Sequence, residues 1–106
     1  MSNIKSFESI IQSQLKSLGY FSIRIQEENE ESFNVIADGS FRKIFLRVLV
    51  RLVSEHINDL TNDEITVIKR NANTVNKEPW AAIMCVNENG ELTDEIHWKN
   101  LAKQIA

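Results

Sequence analysis

The long alternating run from Arg42 to Val53 constrains the fold of this chain more than any other feature. Apolar side chains occupy every second position from Ile44 to Leu52, which is the period of a β-strand with one face in a core. The positions between them carry basic and apolar residues on the opposite face: Lys43, Phe45, Arg47, Leu49 and Arg51. The length and apolar content of the run predict the central strand of a sheet.

Two further strands are predicted on the N-terminal side of this run. Apolar and polar residues alternate from Tyr20 to Gln26, as in a half-buried strand. The acidic stretch EENEES, residues 27–32, predicts a loop or a hairpin turn. A second strand is predicted from Phe33 to Ala37, and Asp38-Gly39 after it is a dipeptide typical of tight hairpins.

Two helices are predicted from apolar residues that recur at steps of three and four. The first covers about Ser2 to Leu18, and Gly19 after it suits a left-handed C-terminal cap. Thr61 precedes Glu64 at the spacing of a capping box, which predicts a second helix over about residues 62–76. The residues expected on the buried faces are Ile4, Phe7, Ile11, Leu15 and Leu18 in the first helix and Ile65, Ile68, Ala72 and Val75 in the second.

The C-terminal part of the chain predicts two more strands and a last helix. The apolar run from Trp80 to Val86 (WAAIMCV) is typical of a strand that is covered on both faces. Asn89-Gly90 predicts a tight turn into a strand from Glu91 to Trp98, and a short helix is predicted from Lys99 to Ala106. The predicted order is therefore α-β-β-β-α-β-β-α, an α/β or α+β fold in one domain.

Composition excludes several classes of site. The single cysteine, Cys85, rules out an internal disulfide, and with only two histidines the usual four-ligand zinc sites are also ruled out. The three glycines are scattered and form no phosphate-binding loop. No window approaches the roughly 18 apolar residues of a membrane span, and the polar N-terminus does not resemble a signal peptide. We therefore expect a soluble, cytoplasmic protein with no membrane contact and no cofactor.

The element order, together with residues 33–52 (FNVIADGSFRKIFLRVLVRL), resembles the core of the PD-(D/E)XK nuclease superfamily. This superfamily includes restriction endonucleases and archaeal-type Holliday-junction resolvases, and the resemblance implies a central mixed sheet flanked by helices. In the family an Asp opens the second strand and Glu-x-Lys lies on the third. In this chain those positions fall on Asn34, Arg47 and Leu49, so none of the three signature residues is present.

These departures imply a vacated metal site. In the family two carboxylates bind Mg²⁺, a cation that requires hard oxygen ligands and that activates water at the scissile phosphate. Asn34 offers only a neutral carbonyl, Arg47 places a positive charge where the metal would sit, and Leu49 cannot orient a water molecule. We expect no metal-dependent cleavage at these positions. A migrated ligand set would have to draw on other carboxylates, namely Glu8, Glu31 and Asp38.

Basic residues at matching positions of the first and third strands predict a cationic sheet face: Arg24, Lys43, Arg47 and Arg51. Such a face is typical of proteins that contact phosphates without sequence preference. The alternative is that acids close in sequence neutralise these residues, namely Glu27, Glu28, Glu30, Glu31 and Asp38. The net charge of −3 shows that the whole molecule is not a polycation.

Three functions stay open on the sequence alone. The first is a non-catalytic binding or assembly module that contacts nucleic-acid phosphates or an acidic protein through the basic sheet face. The second is a metal-dependent nuclease with migrated carboxylates, Asp38 foremost, and the third is a protein-interaction subunit without affinity for nucleic acid. Self-association as a homodimer is implied by the resemblance to resolvases, while Trp80 and Trp98 are expected in the core rather than against nucleic-acid bases.

Overall fold

A computed structural model describes residues 4–29, 32–52, 60–93 and 96–103 of the chain. Within these ranges the fold is α+β, with two α-helices and one five-stranded mixed sheet. The helices are α1 (Ile4–Ser17) and α2 (Asn62–Thr74). The strands are β1 (Tyr20–Asn29), β2 (Ser32–Gly39), β3 (Lys43–Leu52), β4 (Glu78–Val86) and β5 (His97–Asn100). No helix in the described ranges is long and apolar enough to span a membrane.

The strands lie in the order β1-β2-β3-β4-β5, so the long alternating run forms the central strand as predicted. Neighbouring strands are antiparallel except β3 and β4, which are parallel. Parallel neighbours need a crossover connection, and α2 lies within the segment that joins β3 to β4.

The two faces of the sheet carry separate cores. Helix α1 packs Phe7, Ile11 and Leu15 onto one face, where they meet Phe33 and Leu46 among other apolar side chains. Helix α2 packs on the other face, which we call the α2 face. The core of the α2 face contains Phe45, Ile68, Ala72, Ala81 and Leu101. Because β4 contributes to both cores, its residues from Ala81 to Val86 are all buried, as the apolar run predicted.

The helix ends follow local chemistry, with two departures from the predicted faces. The capping box forms: the Glu64 amide donates to Thr61 Oγ1 at 3.1 Å, and the Thr61 amide donates to Glu64 Oε1 at 2.8 Å. Gly19 adopts the expected left-handed conformation, with φ at 99°. Helix α1 ends at Ser17, however, so Leu18 is 67% exposed, and Val75 lies beyond the end of α2 and is also exposed. The predicted burial of these two residues was wrong because each lies just outside its helix.

Two predicted boundaries are also corrected. Strand β1 runs on to Asn29, because Glu27 pairs with Phe33 and Asn29 with Ser32, so the predicted acidic loop is in part strand. At the C-terminus, residues 97–100 form β5 and Leu101–Lys103 form a single 3₁₀ turn, in place of a helix that begins at Lys99. Pairing of Lys99 with Ala81 and burial of Leu101 beneath α2 outweigh the local preference for helix. The remainder of the predicted helix, residues 104–106, lies outside the described residues.

Candidate functional site

Asn34, Arg47 and Leu49 lie together on the α2 face of two adjacent strands. Asn34 on β2 is the direct partner of Arg47 on β3. Leu49, two residues after Arg47, pairs with Ser32. Partners in an antiparallel ladder point to the same side of the sheet. These are the positions where the resemblance places the aspartate, glutamate and lysine of a nuclease.

Asn34 is a buried amide at the centre of this group. Its side chain is 8% exposed, and its Oδ1 atom is buried with no hydrogen-bond partner among the described residues. A buried acceptor left in this state destabilises a folded protein by about 1–3 kcal/mol. The carbonyl oxygen of Asn34 therefore opposes folding.

A cleft of about 270 Å³ separates Arg47 and Leu49 from the first turns of α2. Two carboxylates line it, Asp63 and Glu64, neither of which the sequence pattern predicted as a site residue. The capping-box spacing did identify Glu64 as a helix-start residue. Its orientation towards β3 depends on how α2 docks on the sheet, and no local pattern reports this.

Glu64 is committed to holding α2 on the sheet. Its Oε2 atom accepts a short hydrogen bond from the Arg51 guanidinium, and its Oε1 atom accepts the Thr61 amide. Burial raises the pKa of Glu64, but the Thr61 amide and Arg51 outweigh this and lower the pKa below its ordinary value. The carboxylate is therefore ionised at neutral pH, and both of its oxygens are engaged.

Arg51 is accordingly part of the framework rather than of an open basic surface. Only 14% of its side chain is exposed, and its partner Glu64 is not among the acids that the sequence suggested. Its position on β3 shares the α2 face with Arg47, as the alternation predicted. With this ion pair and low exposure, Arg51 is not part of the exposed basic surface on this face.

The alternative carboxylates are not brought together. Asp38 Oδ1 accepts a hydrogen bond from Lys77 Nζ at 2.6 Å, on the α2 face. Glu8 lies on α1, which packs against the opposite face of the sheet. Glu31 lies outside the described residues. In the part of the chain that the structure describes, no three His, Cys, Asp or Glu residues lie close enough together to hold a metal ion.

Arg24 and Lys43 complete a basic surface beside Arg47. Arg24 on β1 pairs with Ile36, and Lys43 on β3 pairs with Asp38, so both point to the α2 face. Both are exposed, and neither makes an ion pair or side-chain hydrogen bond in the described ranges. Strand spacing and rise place the Cα atoms of Arg24 and Lys43 about 12 Å apart. We call Arg24, Lys43 and Arg47 the basic face.

Comparison of the chain with protein-family models, with curated proteins and with solved structures finds no match. What the site does is therefore inferred from its own residues.

Proposed function

We propose that this chain is a non-catalytic relative of the PD-(D/E)XK nuclease fold and acts as a binding module for nucleic acid. The basic face contacts the phosphate backbone without reading the base sequence. The position of the nuclease metal is taken by the Asn34–Arg47 pair.

The architecture supports this relationship. The order α1-β1-β2-β3-α2-β4-β5 agrees with the order implied by the resemblance up to the last element, where a 3₁₀ turn stands in place of a helix. The sheet is mixed and central, with one helix on either face, as the resemblance also implies.

The observation that carries the proposal is the direct pairing of Arg47 with Asn34. A divalent ion about 4 Å from a guanidinium is repelled by about 8 kcal/mol at an effective dielectric constant of about 20. A neutral amide oxygen does not offset this repulsion as a carboxylate would. The same positive charge attracts a phosphate, so the substitution that disfavours metal chemistry favours phosphate binding.

Arg24 and Lys43 extend this attraction along the α2 face. Both side chains are exposed, so a phosphate can reach them without displacing a protein carboxylate. Helix α2 packs over β3 and β4, which leaves β1 at the edge of the sheet as the approach for an extended polyanion. The binding strength then arises from charge, and it should fall steeply as salt rises.

The test is fluorescence anisotropy with labelled single-stranded and duplex DNA across a range of salt concentrations. If each of the three basic residues neutralises one phosphate, the slope of log K against log salt on duplex DNA is about −2.7. In the double variant Arg24→Gln, Lys43→Gln the slope should fall to about −0.9, since only Arg47 remains. Lys16→Gln is the matched control, because Lys16 is an exposed lysine on α1, on the side of the sheet opposite the basic face.

Two outcomes would overturn the proposal. Binding that is absent or insensitive to salt would favour a protein-interaction subunit. Cleavage of DNA by the purified protein with Mg²⁺ or Mn²⁺, lost in Asp38→Ala, would favour a nuclease with migrated carboxylates. Circular dichroism of Asp38→Ala is needed alongside, because this variant also removes the partner of Lys77.

A further inference from the structure

A second candidate site opens on the face of the sheet that carries α1, away from the basic face. It is a cavity of about 620 Å³ between the C-terminal half of α1 and strands β3, β4 and β5. We call it the aromatic cavity. Its lining residues are Ser13, Gln14, Leu15, Ser17, Leu18, Tyr20, Arg42, Ile44, Trp80 and Trp98.

Two tryptophans form one wall of the aromatic cavity. Trp98 on β5 pairs with Ala82, and Trp80 lies two residues before Ala82 on β4, so the two indoles are diagonal neighbours on one sheet face. Both are half-buried rather than fully enclosed in the core. Aromatic side chains with accessible faces stack favourably on planar rings.

The guanidinium of Arg42 lies beside Trp80 at this wall. Glu78 Oε1 accepts the Trp80 indole N–H at 2.8 Å and also pairs with an Arg42 nitrogen at 3.5 Å. The Arg42 guanidinium lies 5.8 Å from the centre of the Trp80 ring. The Glu78 carboxylate therefore positions both the ring and the guanidinium.

Arg42 retains the capacity to bind an acid. A guanidinium has five N–H donors, and a contact of 3.5 Å to Glu78 is longer than the roughly 2.8 Å of a strong charge-assisted hydrogen bond. The Arg42 side chain is 47% exposed, and among the described residues that line the cavity it is the only charged one. Burial raises the pKa of the Tyr20 phenol beside it, which keeps that hydroxyl protonated and able to donate.

We propose that the aromatic cavity binds a planar aromatic acid, with its ring against Trp80 and Trp98 and its carboxylate or phosphate paired with Arg42. The size lies within the range of pockets for small organic ligands. The Arg42 guanidinium favours an anion, because its remaining N–H donors can bind a carboxylate or phosphate beside Glu78, whereas a neutral or cationic ring gains no such contact. An aromatic carboxylate and a nucleoside monophosphate share this chemistry.

The test follows the indole N–H signals of Trp80 and Trp98, the only tryptophans of the chain, in ¹H–¹⁵N spectra. Indole-3-acetate, indole and tryptamine have one ring system with negative, zero and positive charge. We expect indole-3-acetate to shift both signals and to bind at least about ten-fold more tightly than tryptamine. In Arg42→Gln the affinity for indole-3-acetate should fall to that for indole, while Arg70→Gln, at an exposed arginine of α2 on the other side of the sheet, should leave it unchanged.

A parallel titration with adenosine monophosphate and adenosine separates the two ligand sources. Tighter binding of the nucleotide than of indole-3-acetate supports a nucleotide, and the reverse order supports an aromatic carboxylate. Three results overturn the proposal: neither indole signal shifts at millimolar probe, acid and amine bind equally, or Arg42→Gln binds the acid as the wild type does. None of them affects the proposed role of the basic face, which lies on the other side of the sheet and has its own test.

Discussion

Replacing Asn34 with leucine tests whether this chain carries a buried polar group that opposes folding. Asn34 is 8% exposed, and its Oδ1 atom has no hydrogen-bond partner among the described residues. Leucine matches asparagine in the number and branching of its side-chain heavy atoms, and its methyl groups are bulkier, so Asn34→Leu removes the unsatisfied carbonyl without opening a cavity. The neighbouring Leu49 on the same face offers apolar contact.

The expected gain follows from the penalty for a buried, unsatisfied acceptor, about 1–3 kcal/mol. The entropy of unfolding for a chain of this length is about 220 cal/mol/K, so each kcal/mol corresponds to about 4–5 °C in Tm. Asn34→Leu should therefore raise Tm by about 5–14 °C. If Asn34 serves the basic face, the same variant should also bind DNA more weakly despite its greater stability.

The assay is urea and thermal unfolding followed by circular dichroism. The urea midpoint should rise with an unchanged slope, which identifies a change in stability rather than in compactness. Gln26→Leu is the matched control, since Gln26 is the exposed partner of Asn34 on β1 and its amide is solvated. Gln26→Leu should change the free energy of unfolding by less than about 0.5 kcal/mol.

A loss of stability in Asn34→Leu would refute the reasoning. It would mean that the carbonyl accepts a hydrogen bond in the folded protein, for which the guanidinium of Arg47 directly opposite is the candidate donor. A change indistinguishable from that of Gln26→Leu would refute it equally.

Two further predictions concern the framework that holds the site. Leu46→Ala should lower the free energy of unfolding by about 2–5 kcal/mol, because Leu46 is fully buried. Ile65→Ala should cost less, because Ile65 is half-buried, and equal losses in urea unfolding would contradict this difference in burial. For Glu64, the folded-state pKa lies below the ordinary value of 4.5, so its stabilisation is complete above that value and is lost as pH falls through the folded-state pKa. Wild type should thus lose more stability on acidification than Glu64→Gln, and parallel pH profiles would contradict the Arg51–Glu64 link.

The sequence predicted the positions of the candidate site better than their interactions. The alternation of β3 placed Arg47, Leu49 and Arg51 on one face, and the hairpin at Asp38-Gly39 placed Asn34 on the neighbouring strand. The partner of Arg51 could not be predicted, because Glu64 lies thirteen residues away on a helix that docks through Ile68 and Ala72. The sequence also did not show that Trp80 and Trp98 line a cavity.

The sequence by itself determined the elements whose stability depends on neighbouring residues. The period of β3, the apolar run of β4, the capping box at Thr61 and the left-handed Gly19 are set by side chains within a few positions of one another. Burial periodicity and capping act locally, so a linear pattern is enough to predict them.

Tertiary structure decided whatever depends on which strands pair and in which register. Pairing with β4 drew residues 97–100 into a strand and set Trp98 diagonal to Trp80, although the local sequence favoured a helix from Lys99. Docking of α2 turned Glu64 towards Arg51. The basic face therefore consists of Arg24, Lys43 and Arg47, without Arg51. These contacts join residues distant in the chain, and their free energy appears only when the whole sheet is assembled.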